Sequence, residues 1–63
     1  MTLPRRKRDV LDQLSNGFSY KQVANILGIK EVTVKKHVSW LFKMYKVKNK
    51  TQLLVLAVRR GLI

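Results

Sequence analysis

Few side chains in this sequence are able to make or break covalent bonds. The chain has one histidine, His37, and three carboxylates, Asp9, Asp12 and Glu31, and it contains no cysteine. A metal site needs three or four donor side chains, and acid–base catalysis needs a donor and an acceptor held within reach of a substrate. The composition therefore argues against an enzyme, a metal site and a bound cofactor.

Positive charge is the abundant chemistry of this chain. Fourteen lysines and arginines against three acids give a formal net charge of +11. A surplus of this size destabilises a compact fold by self-repulsion, which a polyanionic partner relieves. The charge therefore predicts binding to nucleic acid or to an anionic membrane surface.

The apolar segments distinguish between these two partners. The longest apolar run, residues 53–58, has six residues, whereas about 20 are needed to span a bilayer. No hydrophobic signal segment follows the basic N-terminus. These features predict a soluble, cytoplasmic chain that binds no membrane.

Apolar residues recur at helical spacing along the chain, without a convincing alternation of period two. The first predicted helix covers about residues 4–16 and buries Val10, Leu11 and Leu14. Asn16 followed by Gly17 is typical of a helix end, because Gly17 can adopt a left-handed conformation.

The second predicted helix, about residues 19–27, has the clearest start. Ser19 and Gln22 have the spacing of a capping box, in which each side chain bonds the backbone N–H of the other residue. Phe18 and Val23 have the spacing of a hydrophobic staple across the same end. The residues predicted to face inward are Val23, Ile26 and Leu27.

Two further helices complete an all-α, four-helix bundle in one domain, residues 1–63. The third predicted helix covers about residues 31–45, and the fourth, about residues 50–60, starts after a weaker Asn49–Gln52 capping pair and ends at Gly61. The inner face of the third helix is predicted to hold Val34, Val38, Leu41, Phe42 and Tyr45. Its outer face holds Lys35, Lys36, Ser39 and Lys43.

The connection between the second and third helices has the spacing of a helix-turn-helix. Ala24 allows close approach of the two backbones, and Gly28, four residues later, suits the tight turn. Only Ile29 and Lys30 remain before the next helix. With a capping box before it and a basic helix after it, this turn predicts binding to duplex DNA through the major groove, with residues 31–45 as the recognition helix.

The chain resembles the LuxR/FixJ-type, or GerE-like, helix-turn-helix domain of bacterial transcription regulators. The resemblance spans about residues 3–63, and its TVKKHV element is specific. The matching segments are RDVL at 8–11, GFSYKQVA at 17–24, LGI at 27–29, TVKKHV at 33–38, VKNKTQ at 47–52 and RRGLI at 59–63.

The resemblance implies a regulator that binds specific duplex DNA sequences, as a homodimer on inverted half-sites. It places Lys35, Lys36 and Ser39 at positions whose side chains reach base edges. Residues near the helix ends are the phosphate candidates: Lys21, Lys30, Thr33, Lys43, Lys46 and Lys50. RNA polymerase is a further candidate partner, and no small-molecule ligand is expected in this segment.

The fourth helix is apolar over more of its surface than one buried stripe requires. Leu53, Leu54 and Ala57 are enough to serve a core. A second stripe remains, and together with the resemblance it predicts a homodimer contact. The residues of this stripe are Thr51, Val55 and Val58.

Two positions depart from the family pattern. Where the family has a Thr cap and a Glu three residues later, this chain has Pro4 and Lys7, so residues 5–8 place four cations at the positive end of a helix dipole. That arrangement is locally unfavourable and predicts that the cluster serves a partner. The Ser that caps the family's recognition helix is Lys30 here, which removes a hydrogen-bonding cap.

Two residues invite functional readings that the sequence does not favour. His37 lacks companion ligands, so packing at a helix junction is favoured over metal binding or catalysis. Trp40 borders the core face, so packing is favoured over stacking on a nucleotide.

Two alternative functions remain. A cationic membrane-active protein would explain the charge and the apolar helices but would not need Ser19, Ala24 and Gly28 at these spacings. A protein-interaction module with this fold would not need Lys35 and Lys36 to contact DNA.

Overall fold

A computed structural model describes residues 3–63, so the first two residues of the predicted domain lie outside it. The described residues form four α-helices and no strand: α1 (Arg5–Ser15), α2 (Tyr20–Leu27), α3 (Glu31–Tyr45) and α4 (Lys50–Arg59). The all-α, four-helix prediction is confirmed. The prediction made α1 one residue too long at each end, α2 one residue too long at its start and α4 one residue too long at its end. The extra residues, Pro4, Asn16, Ser19 and Arg60, are capping residues.

The predicted capping box at the start of α2 is present. The Gln22 backbone N–H donates to Ser19 Oγ at 3.2 Å, and the Ser19 N–H donates to Gln22 Oε1 at 2.9 Å. Phe18 packs half-buried against the cluster that contains Val23, as the staple requires. These local bonds fix where α2 begins and so where the helix-turn-helix begins.

The turn between α2 and α3 is as tight as the sequence indicates. Gly28 has a φ of 69°, and the Ile29 N–H donates to the Ala24 carbonyl at 3.0 Å. Ala24 is buried, which lets α2 and α3 pack closely. Lys30 caps α3 without a side-chain hydrogen bond, as expected from the missing Ser.

The start of α4 differs in one detail from the predicted capping pair. Asn49 Oδ1 accepts the Gln52 N–H at 2.9 Å, but Gln52 Oε1 accepts from Lys48 at 2.8 Å, one residue before the cap. The cap is therefore present with its return bond displaced. At the end of α3, Lys46 takes the left-handed conformation at φ 56° that glycine favours.

The core has two clusters that follow one another along one face of α3. The first joins α1, α2 and α3 through Val10, Leu14, Val23, Ala24, Val34 and Val38. The second joins α1, α3 and α4 through Leu3, Leu11, Leu41, Leu53 and Ala57. Phe42 packs half-buried against both clusters. Because both clusters pack against one face of α3, that face is held in the core while the opposite face stays exposed.

One predicted core residue is wrong. Ile26 is 49% exposed, and Ala24 is buried in the first cluster instead. The buried side of α2 is set by its crossing with α3, where a small side chain is needed, and this turns Ile26 outward. Leu27 and Tyr45 are half-buried at the edges of the clusters.

Candidate nucleic-acid interface

The exposed side of α3 carries three lysines, Lys35, Lys36 and Lys43, which make it a cationic surface. Val34, Val38 and Leu41 anchor the opposite side in the core. The three predicted base-contacting residues, Lys35, Lys36 and Ser39, are all exposed. None of the three lies beneath another element, so the surface is open to a partner as large as a duplex.

Lys35 is held in place by a neighbour on its own helix. Its Nζ lies 3.4 Å from Glu31 Oε2, one turn earlier, and both side chains are substantially exposed. Such a pair contributes only about 0.3–0.5 kcal/mol. Lys35 can therefore leave Glu31 for a DNA acceptor at little cost, whereas Lys36 pairs with no carboxylate among residues 3–63.

The predicted phosphate-contacting residues form two groups. Lys21 and Lys30 are exposed near the starts of α2 and α3, and Thr33 is half-buried in the first turn of α3. Lys50 is half-buried with its Nζ 5.7 Å from the centre of the Tyr20 ring, so the starts of α2 and α4 are adjacent. Lys43 and Lys46 are exposed at the other end of α3.

Lys30 and Lys46 mark the two opposite ends of α3, whereas Lys50 follows Lys46 by only four residues and lies beside the start of α2. This helix has 15 residues, about 22 Å at 1.5 Å per residue. That spacing suits contacts on either side of a groove better than contacts with one phosphate.

Val32 belongs to the same surface and was missed by the sequence reasoning. It is 54% exposed, and it stands three and four residues before Lys35 and Lys36, the spacing of neighbours on one helix face. An apolar group here suits the methyl group of thymine. The position of Val32 on the same helix face as Lys35 and Lys36 is the signal in the sequence that identifies it.

His37 lies half-buried on α3 beside the start of α1. Burial, together with the positive charges of Lys7 and Arg6, holds its pKa below the ordinary 6.5. No group of three His, Cys, Asp or Glu side chains that could hold a metal occurs among residues 3–63. His37 therefore lies at the junction of α1 and α3.

The lowered pKa of His37 makes stability depend on pH. Below pH 6.5 the unfolded chain takes up a proton that the folded chain resists, so the free energy of unfolding should fall as pH falls through 6.5 toward the lower folded pKa. Above about pH 7.5 the contribution of His37 to the free energy of unfolding has reached its full value. Urea titrations between pH 5.5 and 8 measure it, and His37→Asn, which removes the only histidine, should flatten the profile. A wild-type chain that becomes more stable on acidification would contradict this account.

Trp40 lies outside the two core clusters and contacts α1 instead. It is 37% exposed, and Lys7 Nζ of α1 sits 4.8 Å from the centre of its ring. This cation–π contact fastens the start of α1 to the side of α3. Trp40 therefore joins α1 to α3 and remains partly exposed.

The predicted dimer residues on α4 are all exposed, Val58 at 64%. Thr51 and Val55 line an open, mainly apolar groove of about 480 Å³, and Val58 lies outside it. The other lining residues are Val47, Gln52, Leu56, Arg59 and Arg60. This groove is separate from the cationic surface of α3. Within residues 3–63, no helix is both long and apolar enough to cross a membrane.

Known proteins are similar to this chain in sequence and in structure. The family model GerE, for bacterial regulatory proteins of the luxR family, matches residues 1–57. YhcZ of Bacillus subtilis, an uncharacterised transcriptional regulatory protein, is 45% identical over 60 residues, which cover 95% of this chain and 28% of YhcZ. The nitrate/nitrite response regulator NarP of Escherichia coli is 36% identical over 58 residues, 92% of this chain and 27% of NarP.

A solved structure has the same fold. The crystal structure of the response regulator ChrA, from a heme-sensing two-component system, superposes with a TM-score of 0.93 at 33% identity, covering 100% of this chain and 31% of ChrA. The chain therefore spans less than a third of the length of each of these three relatives.

Proposed function

Because the chain belongs to the luxR family of bacterial regulatory proteins, we propose that it reads specific duplex DNA sequences with α3 in the major groove. The family assignment makes it the helix-turn-helix domain of a transcription regulator, which implies DNA binding. The observation that carries the finer proposal is the exposure of Lys35 and Lys36 on a helix whose opposite face is packed in the core. DNA as the partner places its action in the bacterial cytoplasm.

The residues divide by the part of DNA that they contact. Lys35 and Lys36 donate to acceptors on base edges, for which guanine O6 and N7 are the best match, and Ser39 reaches the next position. The phosphate-contacting residues fix register and supply affinity without reading sequence: Lys21, Lys30, Thr33, Lys43, Lys46 and Lys50. RNA polymerase stays a predicted partner without an assigned surface.

Selection of bound sites from random duplex DNA tests this function. We expect enrichment of one short sequence with guanines at defined positions, because two lysines face the groove. The logarithm of affinity for that site should fall linearly with the logarithm of salt concentration, by about 0.9 per phosphate contact. Recovery of unrelated sequences, or binding that salt does not change, would contradict specific DNA recognition.

We further propose that two copies of the chain bind an inverted repeat through α4. Thr51, Val55 and Val58 offer exposed apolar surface away from the cationic face. A pairing of this kind is weak alone, because the surface on a ten-residue helix is small. DNA that holds two copies side by side makes the weak contact effective.

Val55→Asp tests the pairing, because it places a charge in the apolar groove. We expect about 10-fold weaker binding to an inverted repeat, within the usual 1–3 kcal/mol of coupling between sites. Binding to a single half-site should not change, and this is the internal control. Sedimentation should give two wild-type chains per inverted repeat, and one chain per repeat would refute the dimer.

A further inference from the structure

We propose that the basic start of α1 forms a second DNA contact, in which Arg5, Arg6 and Lys7 bind phosphates of the strand beside the groove that α3 enters. This inference rests on the proposed function. It assigns DNA backbone as the partner of a cluster in which Lys7 packs on Trp40 while Arg5 and Arg6 stay exposed.

Local stability does not account for these cations. The first turn of α1 contains no acidic residue, and Pro4 supplies no side-chain cap. The positive end of the helix dipole therefore meets residues 5–8, all of them basic. Among residues 3–63, the only carboxylate paired with this cluster is Asp9, whose Oδ2 lies 4.0 Å from Arg6 Nη1. That distance is the limit of an ion pair, and the Arg6 side chain remains 58% exposed.

Lys7 fixes where this cluster lies relative to α3. Its Nζ sits 4.8 Å from the centre of the Trp40 ring, and Trp40 stands one helical turn after Lys36. His37, next to Lys36, feels the positive charges of Lys7 and Arg6. The start of α1 therefore lies along the flank of α3, next to its proposed base-reading residues.

The dimensions of DNA indicate which part of the duplex faces the start of α1. The major groove is about 12 Å wide, and an α-helix with its side chains is about 10–12 Å across, so α3 fills the groove. The start of α1, which packs against the flank of α3, cannot enter the major groove together with α3. It must therefore face the wall of that groove. That wall is sugar and phosphate, whose charge matches exposed guanidinium groups.

The test is the double variant Arg5→Gln/Arg6→Gln, bound to a single half-site duplex selected with the wild-type chain. Lys7 is left unchanged because it packs on Trp40. If both arginines contact phosphate, the slope of log affinity against log salt should become less negative by about 1.8, and affinity at 0.1 M salt should fall about 10-fold or more. Base preference should be retained, because phosphates carry no sequence information.

Arg59→Gln/Arg60→Gln is the matched control, because it removes the same charge from the end of α4. A single half-site excludes any contribution from pairing through α4. Equal slopes for the wild type and the α1 variant, or the same slope change in the α1 variant and the control, would overturn the proposal. Thermal melting should show the α1 variant at least as stable as the wild type, since it relieves the helix dipole.

Neutral methylphosphonate linkages at single positions locate the contact. Substitution at the flanking phosphates should weaken wild-type binding and leave the α1 variant unaffected, and equal losses in both proteins would refute this position. A different variant tests the proposed function itself. If Lys35→Ala/Lys36→Ala binds the selected duplex as the wild type does, α3 is not the recognition helix. If only the α1 variant behaves as wild type, the second contact alone is wrong.

Discussion

The double variant Lys35→Ala/Lys36→Ala should bind the selected duplex about 100-fold or more weakly, because each base contact is worth about 1–3 kcal/mol. Both side chains are exposed on the outer side of α3. The fold should survive, since the variant loses only the surface pair between Lys35 and Glu31. Fluorescence anisotropy with labelled duplex measures the affinity, and a thermal melt monitors the fold.

Charge removal alone must be separated from loss of base reading. Arg59→Ala/Arg60→Ala removes two charges at the end of α4 and, on a single half-site, should keep the preference for the selected duplex over a scrambled one. Lys35→Ala/Lys36→Ala should lose that preference and bind both duplexes equally weakly. A folded Lys35→Ala/Lys36→Ala variant that still prefers the selected duplex would remove α3 from the recognition surface.

Leu41→Ala should remove about half of the free energy of unfolding of the domain. Leu41 is fully buried in the cluster that joins α1, α3 and α4, and truncation of such a leucine costs about 2–5 kcal/mol. A domain of 63 residues has a total stability of only about 3–9 kcal/mol. The truncation therefore removes about half of the stability that holds α3 in place, and urea unfolding followed by circular dichroism measures the loss.

Met44→Ala is the matched control on the same helix. Met44 is exposed, so its truncation should change the free energy of unfolding by no more than about 0.5 kcal/mol. If Leu41→Ala and Met44→Ala unfold at the same urea concentration, the second cluster does not stabilise the domain. Met44→Ala should bind DNA at the same urea concentrations as the wild type, whereas Leu41→Ala should lose DNA binding at a lower urea concentration, where it unfolds.

Local signals in the sequence were sufficient for the helices. The capping box of Ser19 and Gln22 and the positive φ of Gly28 depend on neighbouring residues alone, so both could be predicted. The outward position of Ile26 depends on how α2 crosses α3, which the spacing of an eight-residue helix does not determine. Lys46 adopts a left-handed conformation without the glycine that usually indicates one.

The candidate site was predictable in part for the same reason. Lys35, Lys36 and Ser39 follow from the helical register and the family resemblance, and the structure exposes them. Their contacts with bases stay a prediction. The contact between Lys7 and Trp40 joins residues 33 positions apart, and no sequence spacing reveals it. The position of the basic cluster beside α3 therefore needed the three-dimensional fold.

Methylation interference measures most directly whether α3 reads the major groove. Dimethyl sulfate modifies guanine at N7, in the major groove, and adenine at N3, in the minor groove. Lysines that donate to guanine N7 predict that N7 methylation within the selected half-site blocks binding, while N3 methylation there has little effect. Binding that tolerates every N7 methyl group but is blocked by methyl groups at N3 would contradict the claim, because the cationic face of α3 would then not enter the major groove.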